Sequence, residues 1–139
     1  MSDQDAVLFA NEAFYAAFAS RDLAAMEKVW AKDKSISCTH PGWQPLVGRA
    51  EVMASWRSIL GNAKAPRITC RAERATIYGE CAVVTCIEQI AGDKDSAEFL
   101  TATNVFVRVG QLWAIVHHQA GPVNIDPQSL EDEEPPALN

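Results

Sequence analysis

The amino-acid sequence predicts a single α+β domain in which helices come first and β-strands follow. Two observations support this prediction. Up to residue 61, apolar side chains recur mainly at helical spacing, whereas the chain after Pro66 is rich in Val, Ile, Thr and aromatic residues between turn signals. The chain has 139 residues, the length of one domain. Helices followed by strands favour helices packed on one face of an antiparallel sheet.

The first half of the chain predicts three helices and a short strand. Apolar residues recur on one stripe over residues 5–20, which predicts the first helix. Asp22 can cap a second, shorter helix, and a third helix runs through residues 48–61. Apolar and polar residues alternate over 34–39, as in a strand. The next segment, 40–45, contains two prolines and a glycine and is therefore predicted to be a loop.

The second half predicts a meander of four long strands. Glycine-containing turn signals lie at 79–80, 92–95 and 110–111, and they favour successive antiparallel hairpins. The predicted strands cover residues 67–78, 81–91, 97–109 and 112–120.

The charge distribution separates a nearly neutral body from an acidic end. The net charge is −6, and five of the 18 acidic residues lie in residues 126–139, where no basic residue occurs. We therefore predict a domain over residues 1–125 and a disordered acidic tail over residues 126–139. The body has no surplus of Lys and Arg, so it is not expected to bind nucleic acid.

Membrane insertion and secretion are also not expected. No apolar run approaches the roughly 18 residues that predict a membrane span. The acidic start of the chain lacks the basic-then-apolar order of a signal peptide, which favours a cytoplasmic protein.

The cysteines and histidines do not predict a metal site. The four cysteines show no CxxC spacing, so free thiols are expected rather than a zinc site. His40, His118 and Glu88 could form a two-His-one-carboxylate set. However, they lie on three separate elements and share no local signature, so neither a metal nor a cofactor is predicted.

The order of elements and several local matches resemble the SnoaL-like branch of the nuclear transport factor 2-like superfamily. The matches span residues 5–121, and together they are specific for the fold rather than for an activity. They comprise Phe14–Phe18 followed by Arg21-Asp22-Leu23, "CTHPGW" at 38–43, "LVGRAEVMASW" at 46–56 and "LWAIVHHQAG" at 112–121.

This resemblance implies an architecture but not an activity. It implies a cone-shaped barrel, with three N-terminal helices packed on a curved, mostly antiparallel sheet and one deep pocket between them. It also implies, as usual in the superfamily, a dimer through the sheet. Because the superfamily includes polyketide cyclases, ketosteroid isomerases, dehydratases and non-catalytic association domains, the fold leaves the function open.

Side-chain alternation along the strands indicates which residues would line the pocket. By resemblance to the association domain of calmodulin-dependent kinase II, the face of the last strand that carries His118 points inward. In the same comparison, Cys86 and Glu88 point inward from one neighbouring strand and Asn104 and Phe106 from another. Asn104, Glu88 and His118 are then the polar groups of the pocket.

The same alternation places Trp113, Ile115 and His117 on the opposite face of the last strand. Apolar residues there would form an exposed patch on a monomer, and such patches usually mark an interface. We therefore predict a homodimer through the sheet.

The candidate catalytic residues are His118, His40 and Glu88. His and Glu can act as an acid–base pair, although the Asp base of a ketosteroid isomerase has no evident counterpart. By the same resemblance, uncharged residues replace the arginines of the kinase association domain, which favours a neutral, partly apolar small-molecule ligand. The candidate ligand-binding residues are Asn104, Tyr15, Trp43, Trp56, Cys86 and Phe106.

Three functions remain open at this point. The protein could be an enzyme that performs isomerisation, cyclisation or dehydration by acid–base chemistry. It could instead be a non-catalytic ligand-binding module, or a dimerisation module whose pocket is incidental. The sequence favours a small-molecule pocket protein and leaves catalysis undecided.

Overall fold

The computed structural model describes residues 1–91 and 98–131, and within them helices and strands follow the predicted order. The elements are α1 (Asp3–Ser20), α2 (Leu23–Val29), β1 (Ser37–Thr39), β2 (Leu46–Val47), α3 (Arg49–Gly61), β3 (Ile68–Tyr78), β4 (Cys81–Ile90), β5 (Glu98–Val109), β6 (Leu112–Pro122) and α4 (Pro127–Glu131). The predicted turn at 92–95 lies outside the described residues.

The strands form one six-stranded sheet in the order β2-β1-β6-β5-β4-β3. Its neighbouring strands are antiparallel except for β1 and β6, which run parallel with Cys38 opposite His118. The long strands form the predicted meander, so the sequence pattern identified the sheet correctly. The parallel pair brings β1, from the first half of the chain, beside the last strand.

α1 and α2 begin where a side chain accepts a hydrogen bond from a free backbone N–H group. Ser2 Oγ accepts a hydrogen bond from the backbone N–H of Asp5 at the start of α1. Asp22 caps α2 as predicted, since its carboxylate accepts from the backbone N–H of Ala25 at 3.1 Å.

The core lies between the helices and one face of the sheet, here called the inner face. Phe14 of α1 is fully buried and makes edge contacts with Trp30 and Trp56, with ring centroids 6.4 and 5.5 Å apart. From the sheet, Val84 and Phe106 are both fully buried. The inner face of β4 and β5 therefore consists of the residues that alternation predicted.

The prediction for the first half of β6 was wrong, because this strand contains a β-bulge. Val105 pairs with His117 but Phe106 pairs with Ile115, so one extra residue of β6 stands between these pairs. A bulge of this kind reverses the alternation of side chains. Trp113 and Ile115 therefore lie on the inner side, with exposed fractions of 8% and 0%, and they form no outer patch.

The start of the predicted disordered tail is helical. α4 follows β6 after a short connection, and Leu130 is 7% exposed. A small cavity beside Leu130 is lined by Ile87 and Thr101, whose alternation places them on the opposite, outer face of the sheet. Residues 132–139 lie outside the described part of the chain.

Within the described residues, no helix is both long and apolar enough to cross a membrane.

Candidate functional site

Five polar side chains meet in the interior between α1 and the inner face of the sheet. Each is at most 5% exposed, although polar groups are normally buried only when they are hydrogen-bonded. We call this group the inner polar cluster. It consists of Asn11 and Tyr15 from α1, Glu88 from β4, Asn104 from β5 and His118 from β6.

Tyr15 connects the helix side of the cluster to the sheet. Its hydroxyl donates to Glu88 Oε2 at 2.7 Å and accepts from Asn104 Nδ2 at 3.2 Å. The Cys86 sulfur lies 3.3 Å from the same hydroxyl oxygen. The Tyr15 hydroxyl group therefore donates its proton to the Glu88 carboxylate, and its oxygen accepts from Asn104.

The hydrogen bonds of Asn104 define the protonation of His118. The Asn104 amide nitrogen also donates to Asn11 Oδ1 at 2.8 Å, so the Asn104 carbonyl oxygen is the atom that faces His118. That oxygen lies 2.5 Å from His118 Nδ1, and an acceptor there requires a proton on Nδ1. In the neutral ring, Nε2 is then unprotonated, and it lies 3.8 Å from Glu88 Oε2.

His40 lies in a separate buried group beside this cluster. Its Nε2 is 2.9 Å from Ser55 Oγ, whose own proton goes to the carbonyl oxygen of Val52 at 2.6 Å. His40 Nε2 must therefore carry the proton that Ser55 accepts. The Cys38 thiol lies 3.6 Å from the same ring nitrogen. The ring centroids of His40 and His118 are 6.4 Å apart, so the two histidines are neighbours without a direct hydrogen bond.

Aromatic rings enclose both histidines. Phe14 and Trp56 lie 5.0 and 6.0 Å from the His118 ring, and Trp56 lies 4.8 Å from His40. Trp43, which is 45% exposed, lies 5.0 Å from His40. These contacts form a continuous row of rings from the surface at Trp43 to His118.

Burial keeps the histidines neutral and favours the protonated form of the carboxyl group. Burial lowers the pKa of His118 to about 3, and His40 and His117 add to this effect. Burial also lowers the pKa of His40 to about 4. Burial raises the pKa of Glu88 to about 7, although the hydrogen bond from Tyr15 opposes the shift. At neutral pH the cluster therefore combines an uncharged His118 with a carboxyl group near half-protonation.

Two thiols near the cluster, those of Cys38 and Cys70, are protonated at neutral pH. Burial raises the pKa of Cys38 to about 12, with Glu88 adding to the shift. A hydrogen bond with Cys86 and burial raise the pKa of Cys70 far above its usual range. A thiolate nucleophile at either position is therefore disfavoured.

The predicted pocket residues come together, but they fill the interior by packing on each other. Two cavities of about 300 and 330 Å³ lie elsewhere. One is the cavity beside Leu130, and the other lies between α1, α2 and the β5–β6 turn, near Phe9 and Trp113. Neither is lined by His118, Glu88 or Asn104, although the predicted pocket residue Cys86 lines the cavity beside Leu130.

The structure thus unites most of the residues that the sequence singled out. Tyr15, Glu88, Asn104 and His118 share one hydrogen-bonded cluster, with Cys86 in contact with Tyr15. His40, Trp43 and Trp56 line the aromatic approach to it. Phe106 is buried on the same face of β5, two residues from Asn104.

The sequence analysis missed two buried polar residues, Asn11 of the inner polar cluster and Ser55, which contacts His40. Asn11 lies on the apolar stripe of α1, and a fully buried Asn at such a position is a signal that could have been recognised. Ser55 gave no such signal, because its partner His40 lies 15 residues away on another element.

The arrangement of side chains in the described part of the chain does not favour metal binding. There, no group of three or more His, Cys, Asp or Glu side chains is arranged to hold a metal ion.

The family model of the SnoaL-like domain matches residues 7–124. The chain therefore belongs to the SnoaL-like domain family, whose members include isomerases, dehydratases and non-catalytic proteins. The structure is the α+β cone of the cystatin-like, NTF2-like fold.

Solved structures of two similar proteins share this fold. A candidate dehydratase of the NTF2-like family from Streptomyces avermitilis is 32% identical, with a TM-score of 0.77 over 88% of this chain and 97% of that one. A candidate calcium/calmodulin-dependent protein kinase type II association domain from Thiobacillus denitrificans is 38% identical, with a TM-score of 0.75 over 83% of this chain and 93% of that one.

A curated relative extends beyond the length of this chain. The F-box protein SKIP8 of Arabidopsis thaliana is 27% identical over 125 residues, which cover 90% of this chain and 53% of the relative. The chain thus spans about half the length of that protein.

Proposed function

We propose that this protein is a small-molecule enzyme that uses Glu88 and His118 as an acid–base pair, on a neutral, partly apolar substrate. The observation that carries the proposal is the 3.8 Å separation between Glu88 Oε2 and the unprotonated Nε2 of His118. A buried carboxyl group near half-protonation beside an uncharged imidazole supplies one proton donor and one proton acceptor at neutral pH.

Dehydration of a β-hydroxy carbonyl compound illustrates the chemistry that this pair supports. His118 Nε2 takes the proton next to the carbonyl group, a carbon–carbon double bond forms, and the carbon–oxygen bond of the hydroxyl group breaks. Protonated Glu88 gives its proton to the leaving oxygen, which departs as water. The proton on His118 then returns to Glu88, which restores both groups. Isomerisation would use the same pair without loss of water.

The low charge of the site favours an uncharged substrate. No arginine or lysine is present in the inner polar cluster, and both histidines are neutral near pH 7. A substrate carboxylate would therefore have no positive partner and would lie close to Glu88. The surrounding rings of Phe14 and Trp56 instead favour an apolar body with one or two polar groups.

Entry to the site requires a local movement, since the cluster is closed in this conformation. We place the entrance at the loop of residues 40–45, where Trp43 is exposed and covers His40. Similarity to a candidate dehydratase over nearly the full length of both chains is consistent with this proposal.

The experiment is a turnover assay with a panel of small β-hydroxy ketones, read by the ultraviolet absorbance of the enone product. Glu88→Gln should lower the rate about 100-fold or more, because the amide cannot donate the proton. His117→Ala, on the outer side of the same strand, is the matched control and should retain activity. Equal rates for Glu88→Gln and the unchanged protein would contradict the assignment.

A second candidate function is that of an association module. It is favoured by the 38% identity with the candidate kinase association domain and by half-buried valines on the outer face, including Val105 and Val107. Because Trp113 and Ile115 are core residues, these valines now form the basis for expecting a homodimer. Val105→Asp should convert the dimer to a monomer in light scattering at micromolar concentration, and a monomeric unchanged protein would exclude this function.

A further inference from the structure

We propose that Asn11 is a positioning residue that acts through Asn104 to hold His118 in the tautomer with its proton on Nδ1. This inference deepens the proposed function, since it concerns the protonation of the same histidine. It depends on hydrogen-bond directions within the inner polar cluster, and so it can be tested without knowledge of the substrate.

The first step of the argument concerns the amide of Asn104. Its two ends are chemically different, because the nitrogen only donates and the oxygen only accepts. Asn11 Oδ1 and the Tyr15 oxygen both take hydrogen bonds from the nitrogen end, at 2.8 and 3.2 Å. The oxygen end must then face His118, where it accepts from Nδ1.

The second step considers the reversed network, in which the Asn11 and Asn104 amides are both turned so that nitrogen and oxygen exchange places. Asn104 would then offer N–H to His118 Nδ1, and the proton of the ring would move to Nε2. The Tyr15 hydroxyl would have to donate to Asn104 instead of Glu88. Glu88 would exchange a 2.7 Å hydrogen bond for a contact with Nε2 at 3.8 Å, which is too long for a hydrogen bond. With Glu88 ionised, the direction seen in the structure is therefore the favoured one.

The third step concerns Asn11 itself. Its side chain is fully buried on the stripe of α1 that otherwise carries Val7 and Phe14. Its other end, Nδ2, lies 3.8 Å from the Cys70 sulfur and also donates a hydrogen bond to the Glu73 carboxyl group. An apolar residue would satisfy the helix pattern at this position without the cost of burying an amide. Because its nitrogen end faces Glu73 and Cys70, Asn11 presents its oxygen to Asn104 as the acceptor that orients that amide.

The consequence for chemistry is that Nε2 keeps its lone pair on the side of Glu88. In the other tautomer Nε2 would carry a proton and could not accept one from a substrate. Asn11 touches neither Glu88 nor His118 by hydrogen bond, and so it acts on the reacting pair only through Asn104.

The test measures the His118 tautomer by ¹⁵N NMR of the imidazole nitrogens at neutral pH, in protein labelled at histidine. The unchanged protein should show a protonated Nδ1 and an unprotonated Nε2. Asn11→Leu, which matches the size of Asn but has no acceptor, should give a mixture of both tautomers. Asn11→Asp retains an acceptor facing Asn104 and should restore the Nδ1–H form. Ser55→Ala is the control, since Ser55 binds His40 and should leave His118 unchanged.

The outcomes separate this inference from the proposed function. If Asn11→Leu keeps a single Nδ1–H tautomer, or if the unchanged protein carries the proton on Nε2, the positioning role is wrong even where turnover is observed. If the tautomer changes as expected but no β-hydroxy ketone is turned over, the positioning role stands and the proposed reaction fails. Where turnover is present, Asn11→Leu should lower kcat on the order of tenfold with little change in KM. If Asn11→Leu does not fold, loss of the Nδ1–H form in Asn11→Asp would equally overturn the proposal.

Discussion

His118 and His117 are neighbours in the chain, yet they lie in contrasting surroundings on the two sides of the sheet. His118 is 1% exposed, bonded to Asn104 and enclosed by aromatic rings. His117 is half-buried and its Nδ1 lies 2.7 Å from Ser37 Oγ at the outer side. The imidazole is the same in both, so the difference in chemistry comes from the environment of each ring.

The comparison shows that His118, unlike the half-buried His117, combines full burial with a neighbouring carboxyl group. Burial shifts the pKa values of His118 and Glu88 in opposite directions, which places a neutral base beside a carboxyl group near half-protonation at neutral pH. Such a buried polar cluster costs stability relative to an apolar core, and this cost is typical of sites kept for function.

Replacement of the two histidines should give the largest contrast. His118→Ala removes the donor to Asn104 and leaves a void beside Phe14, and so it should lower the free energy of unfolding by about 1–3 kcal/mol and abolish turnover. His117→Ala should change stability by less than about 0.5 kcal/mol. Urea unfolding of both variants measures the difference. Similar losses for both would show that the inner side has no special role.

Glu88→Gln should stabilise the protein at alkaline pH while it removes activity. The folded state raises the pKa of Glu88 from 4.5 to about 7, so charged Glu88 destabilises the fold fully above pH 7 and not below about pH 4.5. The amide keeps an acceptor for Tyr15 without the charge. We expect a gain of about 1–3 kcal/mol above pH 7 that disappears in acid. Thermal unfolding across this range measures it, and a loss of stability at alkaline pH would contradict the argument.

Acid should destabilise the protein through the two buried histidines. Their pKa values fall from 6.5 to about 4 for His40 and about 3 for His118, so the unfolded chain binds two more protons than the folded state as the pH falls below 6.5. Between pH 6.5 and 4.5, Glu88 holds one proton more in the folded state and offsets one of these.

For these three groups the net difference is one proton, and the raised pKa of Glu73 reduces it further just above pH 4.5. The predicted loss is therefore at most about 1.4 kcal/mol per pH unit in this window. His40→Phe removes one histidine and should make stability nearly independent of pH there. Chemical unfolding at several pH values tests this, and a slope unchanged by His40→Phe would show that His40 is not buried in its neutral form.

The smallest effect concerns the outer side, at α4. Leu130 is buried, and so Leu130→Ala should lower the free energy of unfolding by about 1–2 kcal/mol, without any effect on turnover. Ser129→Ala, at an exposed neighbour, serves as its control. An unchanged unfolding midpoint for Leu130→Ala would show that α4 is not held against the sheet in solution.

The sequence by itself determined the three N-terminal helices, the four long strands and most members of the inner polar cluster, whereas β2 and α4 were not predicted. Helical and strand periodicity identified α1, α2, α3 and the four-stranded meander, because a buried face requires apolar residues at a fixed repeat. Alternation within β4 and β5, oriented by the family resemblance, placed Glu88 and Asn104 correctly on the inner face, since no bulge interrupts the pairing of these two strands.

Only the tertiary structure decided the side-chain directions in the first half of β6, the long-range hydrogen bonds of the cluster and the pKa values of its residues. One extra residue in β6 reversed its alternation and turned Trp113 and Ile115 into core residues, and only the register with β5 reveals it. The cluster of Asn11 with Asn104 joins positions 93 residues apart, so no local pattern predicts that bond. The pKa values of Glu88 and His118 likewise follow from burial, which exists only once the helices cover the sheet.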